Sequence, residues 1–203
     1  MDQLFVPIVF VALLLVVAGV HVRQTRAFAR SLETDPDLEP THEAGMACRT
    51  RRSPVVSAYG RGGGKNDPSR WDLTASLPAV GERTSLSLSR EGMFGALREM
   101  FGVQDIRVGD PSFDSGYTIR GSDPDAVRGL LGPEEVKCAL EVFFGLGAWS
   151  FQIDRPGGRV TATCRRGLGY SLEEVRNATA ALQRALEAFE RNAQAASRPL
   201  PPA

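Results

Sequence analysis

The chain has 203 residues, with 24 basic and 24 acidic side chains and a formal net charge of zero. This balance provides no global positive field, so we expect no nucleic-acid partner. The three cysteines are an odd number and form no CxxC pair, which argues against a disulfide framework. The length allows one globular domain besides a membrane span and a linker.

The chain begins with an uncharged apolar segment. It runs from Leu4 to Val20 and reads LFVPIVFVALLLVVAGV. Extended to Val22, it has about 19 residues, and as a helix it would be ~28 Å long, close to the hydrocarbon thickness of a bilayer. The sequence therefore predicts one transmembrane helix over residues 4–22, after a short extracytoplasmic head at residues 1–3. Two alternatives are a cleaved signal peptide and a buried core helix. The first residues lack the basic charge of a signal peptide, and a core helix of this length without a polar face would be unusual in so small a domain.

Charges after the apolar segment predict its orientation. Arg23, Arg26 and Arg30 follow it closely, whereas Asp2 is the charged residue before it. The positive-inside rule then predicts a single-pass protein of a cell inner membrane or plasma membrane, with its C-terminal part in the cytoplasm. Residues 23–53 are predicted to form a juxtamembrane helix and a flexible linker, because the second part is rich in Pro, Asp, Glu and Thr and has no apolar period.

Residues 54–192 alternate between strand patterns and helix patterns. Period-two patterns predict strands at 55–59, 71–77, 83–89, 105–108 and 117–120, and a hairpin between 149 and 164. Capping residues and apolar stripes predict helices at 91–101, 122–131, 133–144 and 171–192. Neighbouring hairpins imply antiparallel pairing, so the fold class is α+β, a small domain of mainly antiparallel strands packed with about four helices. Residues 193–203 are predicted to be a disordered tail.

The sequence contains few residues of the types that form catalytic sites. Its two histidines, His21 and His42, both precede the predicted domain, which argues against Ser-His-Asp or Cys-His chemistry and against ordinary zinc sites there. The segment RGGGK at residues 61–65 is not a P-loop, because Tyr59 occupies the first glycine position and Asn66 follows the lysine. We therefore expect no catalytic residue, no metal ligand and no cofactor.

Three aspartates keep an enzymatic alternative open. Asp105, Asp110 and Asp114 are close in sequence, and paired carboxylates act as general acids and bases or bind hard cations. The same residues are common turn formers, and their spacing is not that of an EF-hand. A carboxylate-dependent enzyme remains an alternative hypothesis.

One segment resembles part of a known group of proteins. Residues Gln104 to Leu140 contain an Asp-Pro-x-Phe-Asp turn, an aromatic-x-Ile strand and the sequence Leu-Leu-x-Pro-Glu. In this they are similar to uncharacterised bacterial membrane-anchored proteins. The resemblance implies a shared fold and a membrane tether, and it carries over no activity and no catalytic residues.

The leading hypothesis is a non-catalytic module that binds a partner protein, or itself, at the cytoplasmic face of the membrane. It follows from the predicted tether, the predicted linker and the missing catalytic groups. A third hypothesis is binding of lipid headgroups by a set of arginines near the span and in the linker: Arg23, Arg26, Arg49, Arg51 and Arg52.

Overall fold

The computed structural model describes residues 5–41, 46–61, 69–90, 105–165 and 171–195, without the side chains of residues 5–14, 17 and 21. The strands are β1 (Leu38–Pro40), β2 (Met46–Thr50), β3 (Ser57–Arg61), β4 (Arg70–Ser76), β5 (Leu86–Arg90), β6 (Tyr117–Gly121), β7 (Ala148–Ile153) and β8 (Arg159–Arg165). The helices are α1 (Phe5–Glu33), α2 (Pro78–Gly81), α3 (Pro111–Gly116), α4 (Pro124–Leu131), α5 (Glu134–Gly145) and α6 (Leu172–Ala195).

The eight described strands form one antiparallel sheet. Their order is β1-β2-β3-β4-β8-β7-β5-β6, so the predicted hairpin of β7 and β8 lies in the middle of the sheet. The turn of this hairpin contains Gly157 and Gly158, whose φ angles of 94° and 66° favour glycine. The fold is α+β, as the alternation of strand and helix patterns predicted.

The sheet has two faces of opposite character, because successive side chains of a strand point to opposite sides. One face carries a continuous row of buried side chains across seven strands: Cys48, Ala58, Leu73, Ala162, Phe151, Leu88 and Ile119. We call this the helix-covered face. The other face carries the alternate, polar positions, and we call it the open face. One row of side chains crosses all eight strands on it: Glu39, Arg49, Ser57, Thr74, Thr161, Gln152, Ser87 and Arg120.

The long helix α6 covers the middle of the buried face. The capping box predicted at its start is present in part, because the backbone N–H of Glu174 donates to the hydroxyl of Ser171 at 3.3 Å. Its predicted apolar stripe is buried, and the ring of Phe189 stacks on that of Phe151 with 5.7 Å between centroids. This stripe joins helix and sheet in one core.

Helix α1 differs from the prediction. Its last turns lie on the sheet: Phe28 and Leu32 are buried, and the ring of Phe28 lies 5.8 Å from that of Trp71. Among the residues that the structure describes, no helix is long enough and apolar enough to cross a membrane. This finding contradicts the transmembrane helix predicted at residues 4–22, whose apolar segment is continuous with a helix end that packs on the domain. The predicted head at residues 1–3 lies outside the described residues.

The segment predicted as a flexible linker is largely part of the domain. Within residues 23–53, strands β1 and β2 extend the sheet, and Leu38, Met46 and Cys48 are buried. The carboxylate of Asp35 accepts hydrogen bonds from the backbone N–H groups of residues 37 and 38, each at 2.9 Å, and pairs with Arg176 on α6. Burial of these side chains and this ion pair order a segment whose composition indicated disorder.

Smaller differences concern the region before β6. Residues 105–108 form no strand, although the N–H of Ile106 donates to the carbonyl of Ile119 at 2.9 Å. The predicted turn after them is the short helix α3, which Asp110 caps. The predicted helix at 91–101, residues 62–65 of RGGGK, His42 and the tail from residue 196 lie outside the described residues.

Candidate functional site

Asp110, one of the three candidate carboxylates, is the N-cap of helix α3. Its side chain accepts hydrogen bonds from the backbone N–H groups of Ser112 and Phe113 at 3.1 and 3.3 Å, and it pairs with Lys137. The ammonium of Lys137, together with the hydroxyl of Ser112 and the N–H of Phe113, holds the pKa of the Asp110 carboxyl well below its usual range. This is the wrong direction for a general acid or base that works near neutral pH.

Asp114 and Asp105 are engaged by other donors. Asp114 is buried and accepts hydrogen bonds from the backbone N–H groups of Val108 and Gly109 at 2.9 and 3.1 Å. Asp105 lies with its Oδ1 3.7 Å from the Nε of Arg120. Within the described residues, no group of three or more His, Cys, Asp or Glu could hold a metal ion. The three aspartates thus have structural partners, and the geometry does not favour a carboxylate-dependent reaction.

The structure divides the arginines of the lipid hypothesis between different surfaces. Arg23 and Arg26 are exposed on α1. Arg49 and Arg51 both pair with Glu39, and the Nη1 of Arg51 lies 3.3 Å from that carboxylate. Arg52 lines a cavity of about 400 Å³ between β2 and α6. These residues do not form one basic surface.

The open face concentrates positive charge. On the described strands its positions carry six arginines and two acidic residues: Arg49, Arg61, Arg70, Arg120, Arg159 and Arg165, against Glu39 and Asp72. The whole chain is neutral, so the remainder of the molecule carries the balancing negative charge. Serine, threonine and glutamine side chains occupy the centre of the face and offer hydrogen-bond donors and acceptors without charge.

Three of these arginines lie side by side at one end of the open face. Arg61 is opposite Arg70, and Arg70 is opposite Arg165, on three adjacent strands. Neighbouring strands are ~4.8 Å apart, so the three Cα atoms span about 10 Å. Asp72 pairs with both Arg61 and Arg70, at 2.5 Å and 3.0 Å. This carboxylate therefore neutralises part of the positive charge of the cluster.

Arg120, at the other end, has unused hydrogen-bond donors. Its Nε and Nη2 are buried and have no hydrogen-bond partner among the described residues. Ser87 lies opposite it in register, and both line a cavity of about 380 Å³ on the open face. Because both donors are buried and the Oδ1 of Asp105 lies 3.7 Å from Nε, this guanidinium is not presented to a partner on the surface of the open face.

A second feature lies at the edge of the helix-covered face. A cavity of about 390 Å³ opens where the end of α5 and the first turns of α6 meet the end of β8. Trp71 lines it, is fully buried, and has an indole Nε1 without a hydrogen-bond partner in the described part of the chain. A buried donor left unpaired costs roughly 1–3 kcal/mol, so this N–H is a binding opportunity.

The sequence carries partial signals for these two features. The alternation of polar and apolar residues in β4 and β8 indicates that each strand has a polar face, but the strand order that brings Arg61, Arg70 and Arg165 together is not visible in it. A tryptophan in a strand pattern indicates a buried ring whose N–H needs a partner. The cavity itself depends on how three separate segments meet.

No protein-family model matches this chain, and no significantly similar curated protein or solved structure was found. The resemblance of residues 104–140 to membrane-anchored proteins therefore stays a prediction. Function has to be argued from the surfaces and cavities themselves.

Proposed function

We propose that this protein is a non-catalytic binding module whose open face docks an acidic segment of a partner protein. One observation carries the proposal: on the described strands of the eight-stranded sheet, the polar face holds six arginines against two acidic residues, in a chain of zero net charge. The described helices pack against the opposite face, and the side chains of Arg49, Arg159 and Arg165 on this one are exposed.

The distribution of charge favours an acidic occupant. Glu39 and Asp72 neutralise part of the positive charge, whereas Arg159 and Arg165 have no acidic group within ion-pair distance among the described residues. Unpaired surface charge of one sign steers a partner of the opposite sign and fixes its orientation.

The size of the open face favours a transient complex. Eight strands of about five residues, spaced ~4.8 Å apart, give a face of roughly 600 Å². That is below the ~800 Å² per partner of a typical stable interface, so we expect modest affinity and strong salt dependence. Because carboxylates and neutral hydroxyl groups interrupt the positive charge, the face suits a protein better than the continuous backbone of a nucleic acid.

Binding of a synthetic peptide to the full-length chain tests the proposal. The probe is a fluorescein-labelled 12-residue peptide of alternating Glu and Ser, compared with a Gln/Ser peptide and with a 12-nucleotide single-stranded DNA. We expect the acidic peptide to bind at 50 mM salt and to bind about 10-fold more weakly at 300 mM salt. The double substitution Arg159→Ser with Arg165→Ser should weaken binding about five-fold or more.

A matched control separates the open face from general charge. Arg128→Ser with Arg184→Ser removes the same charge from exposed positions on α4 and α6. Equal weakening by both double variants, or no binding of the acidic peptide at 50 mM salt, would contradict the proposal. Tighter binding of the DNA would assign the face to a nucleic acid instead.

A further inference from the structure

We propose that the cavity beside Trp71 is a binding site for a small, neutral, largely apolar molecule that presents one hydrogen-bond acceptor, such as a carbonyl oxygen. The site is on the helix-covered side of the sheet, and of the residues that line it Arg165 also belongs to the open face. It combines a half-open cavity of about 390 Å³ with a fully buried donor that has no partner in the described residues.

The orientation of the Trp71 ring directs its N–H toward β8, which forms one wall of the cavity. A Cβ placed at Gly60 on β3 would meet the indole atoms Cζ3 and Cη2 at 2.8 and 3.1 Å, so the benzo edge of the ring faces β3. Nε1 is on the other side of the indole, toward β8, where Cys164 also lines the cavity. The unpartnered donor therefore faces the wall that the cavity shares with β8.

The lining defines the chemistry of the ligand. Leu146, Cys164 and Ala178 provide an apolar surface around the indole. Burial raises the pKa of the Cys164 thiol to about 12, so it stays a neutral side chain and not a nucleophile. Arg165 and Glu174 both line the cavity, and their opposite charges favour a ligand without net charge.

The end of α5 keeps the cavity accessible. Gly145 and Gly147 both line it, and Gly147 has a φ of 92°, which a side chain would strain. Two residues without side chains on either side of Leu146 leave an entrance. The volume is within the range of pockets that hold small ligands.

Titration of the ¹⁵N-labelled full-length chain with small probes tests the inference by NMR. The chain has two tryptophans, so the indole region shows two signals, and Trp149→Phe assigns the one from Trp71. The probes are acetophenone, cyclohexanone and N,N-dimethylbenzamide, with α-methylstyrene as an isostere of acetophenone that lacks the acceptor oxygen. We expect a saturable downfield shift of the Trp71 signal with acetophenone, while the Trp149 signal stays in place.

The affinity for acetophenone should exceed that for α-methylstyrene about five-fold, the contribution of one hydrogen bond. Trp71→Phe should abolish this preference. Ala178→Leu fills the cavity and should weaken binding at least 10-fold, whereas Ala180→Leu, two positions later on the same helix and outside this cavity, should leave it unchanged. Thermal melts confirm that each variant is folded.

Failure of all three carbonyl probes to move the Trp71 signal saturably would overturn the inference, and so would equal affinity for acetophenone and α-methylstyrene. Loss of binding in Ala180→Leu as severe as in Ala178→Leu would also contradict it. Neither position 71 nor position 178 is on the open face, so Ala178→Leu should bind the acidic peptide like the parent chain. The two proposals therefore stand or fall separately.

Discussion

The two faces of this sheet are built from the same strands but differ in burial and in polarity. On the helix-covered face, Phe151 is fully buried and stacks on Phe189 of α6. On the open face, the next residue, Gln152, is exposed and belongs to a row of polar side chains. One residue along the chain thus separates a position that stabilises the fold from one that is available for binding.

This difference shows where stability and function can vary independently. Burial of apolar area is the main favourable term in folding, and it is confined to one face. Substitutions on the open face should therefore change binding at little cost in stability, whereas those on the helix-covered face should do the reverse. Each prediction below tests a part of this division.

The largest effect is expected at Phe151. Phe151→Ala removes a buried ring from the centre of the sheet and should lower the free energy of unfolding by about 3–5 kcal/mol. Gln152→Ala, on the open face, should change it by less than ~0.5 kcal/mol. Urea unfolding followed by circular dichroism measures both. Similar losses in the two variants would remove the distinction between the faces.

The extent to which the sequence predicts the fold depends on the length and regularity of each element. The alternation of Trp71 and Leu73 with polar residues predicts β4 and its buried side, and the stripe of α6 predicts a helix that covers a core. Strand β1 has only three residues, and in β2 the successive Met46, Ala47 and Cys48 are all buried, so neither has a period-two pattern. The sequence pattern therefore predicts a linker for both.

Long-range contacts explain the remaining differences. Phe28 and Leu32 are four positions apart on α1, which indicates a helical stripe but not the sheet against which it packs. Arg70 and Arg165 are opposite one another only because β4 and β8 are neighbours, and the sequence carries no sign of that order. The candidate surfaces are thus products of topology, whereas the elements that carry them are local.

The next largest effect is expected where α6 holds the segment between α1 and β1. Asp35→Ala removes a buried carboxylate that pairs with Arg176 and caps two backbone N–H groups, and it should cost about 2 kcal/mol in unfolding free energy. Asp37→Ala is the control, because Asp37 is exposed and near the same arginine. Equal effects would mean that the buried ion pair does not secure this end of the sheet.

The same aspartate should make stability depend on pH. Burial opposes ionisation of Asp35, but hydrogen bonds from Arg176 and from the N–H groups of residues 37 and 38 outweigh it, and its pKa is lowered. A lowered pKa in the folded state gives stability that is present above the unfolded value of about 3.9 and is lost as the pH falls below it. Between pH 5 and pH 2 the parent should therefore lose more stability than Asp35→Asn.

A smaller effect is expected at the close contact between β3 and β4. Gly60 is opposite Trp71, and an added Cβ would meet the Trp71 ring and the methyl group of Met46, each at 2.8 Å. Gly60→Ala should cost about 1–2 kcal/mol, because the methionine can move but the buried ring cannot. Gly129→Ala, on the exposed side of α4 with no atom within 4 Å of the new Cβ, should be neutral or slightly stabilising. If Gly60→Ala were also neutral, the indole would have more freedom than its burial indicates.

The smallest perturbation is chemical labelling of thiols, which measures how accessible the helix-covered face is to a reagent without a mutation. Cys48 and Cys164 are buried on that face, and burial raises the pKa of each thiol to about 12, whereas Cys138 is exposed on α5. Only about one in 10⁴ of such buried thiols is ionised at pH 8, so both should react far more slowly than Cys138, even though a cavity adjoins Cys164. Ellman's reagent should therefore titrate one thiol of three in the folded chain and all three in denaturant. Cys138→Ser should abolish the folded-state reaction, and rapid labelling of Cys164 in that variant would show that the face opens at the Trp71 cavity.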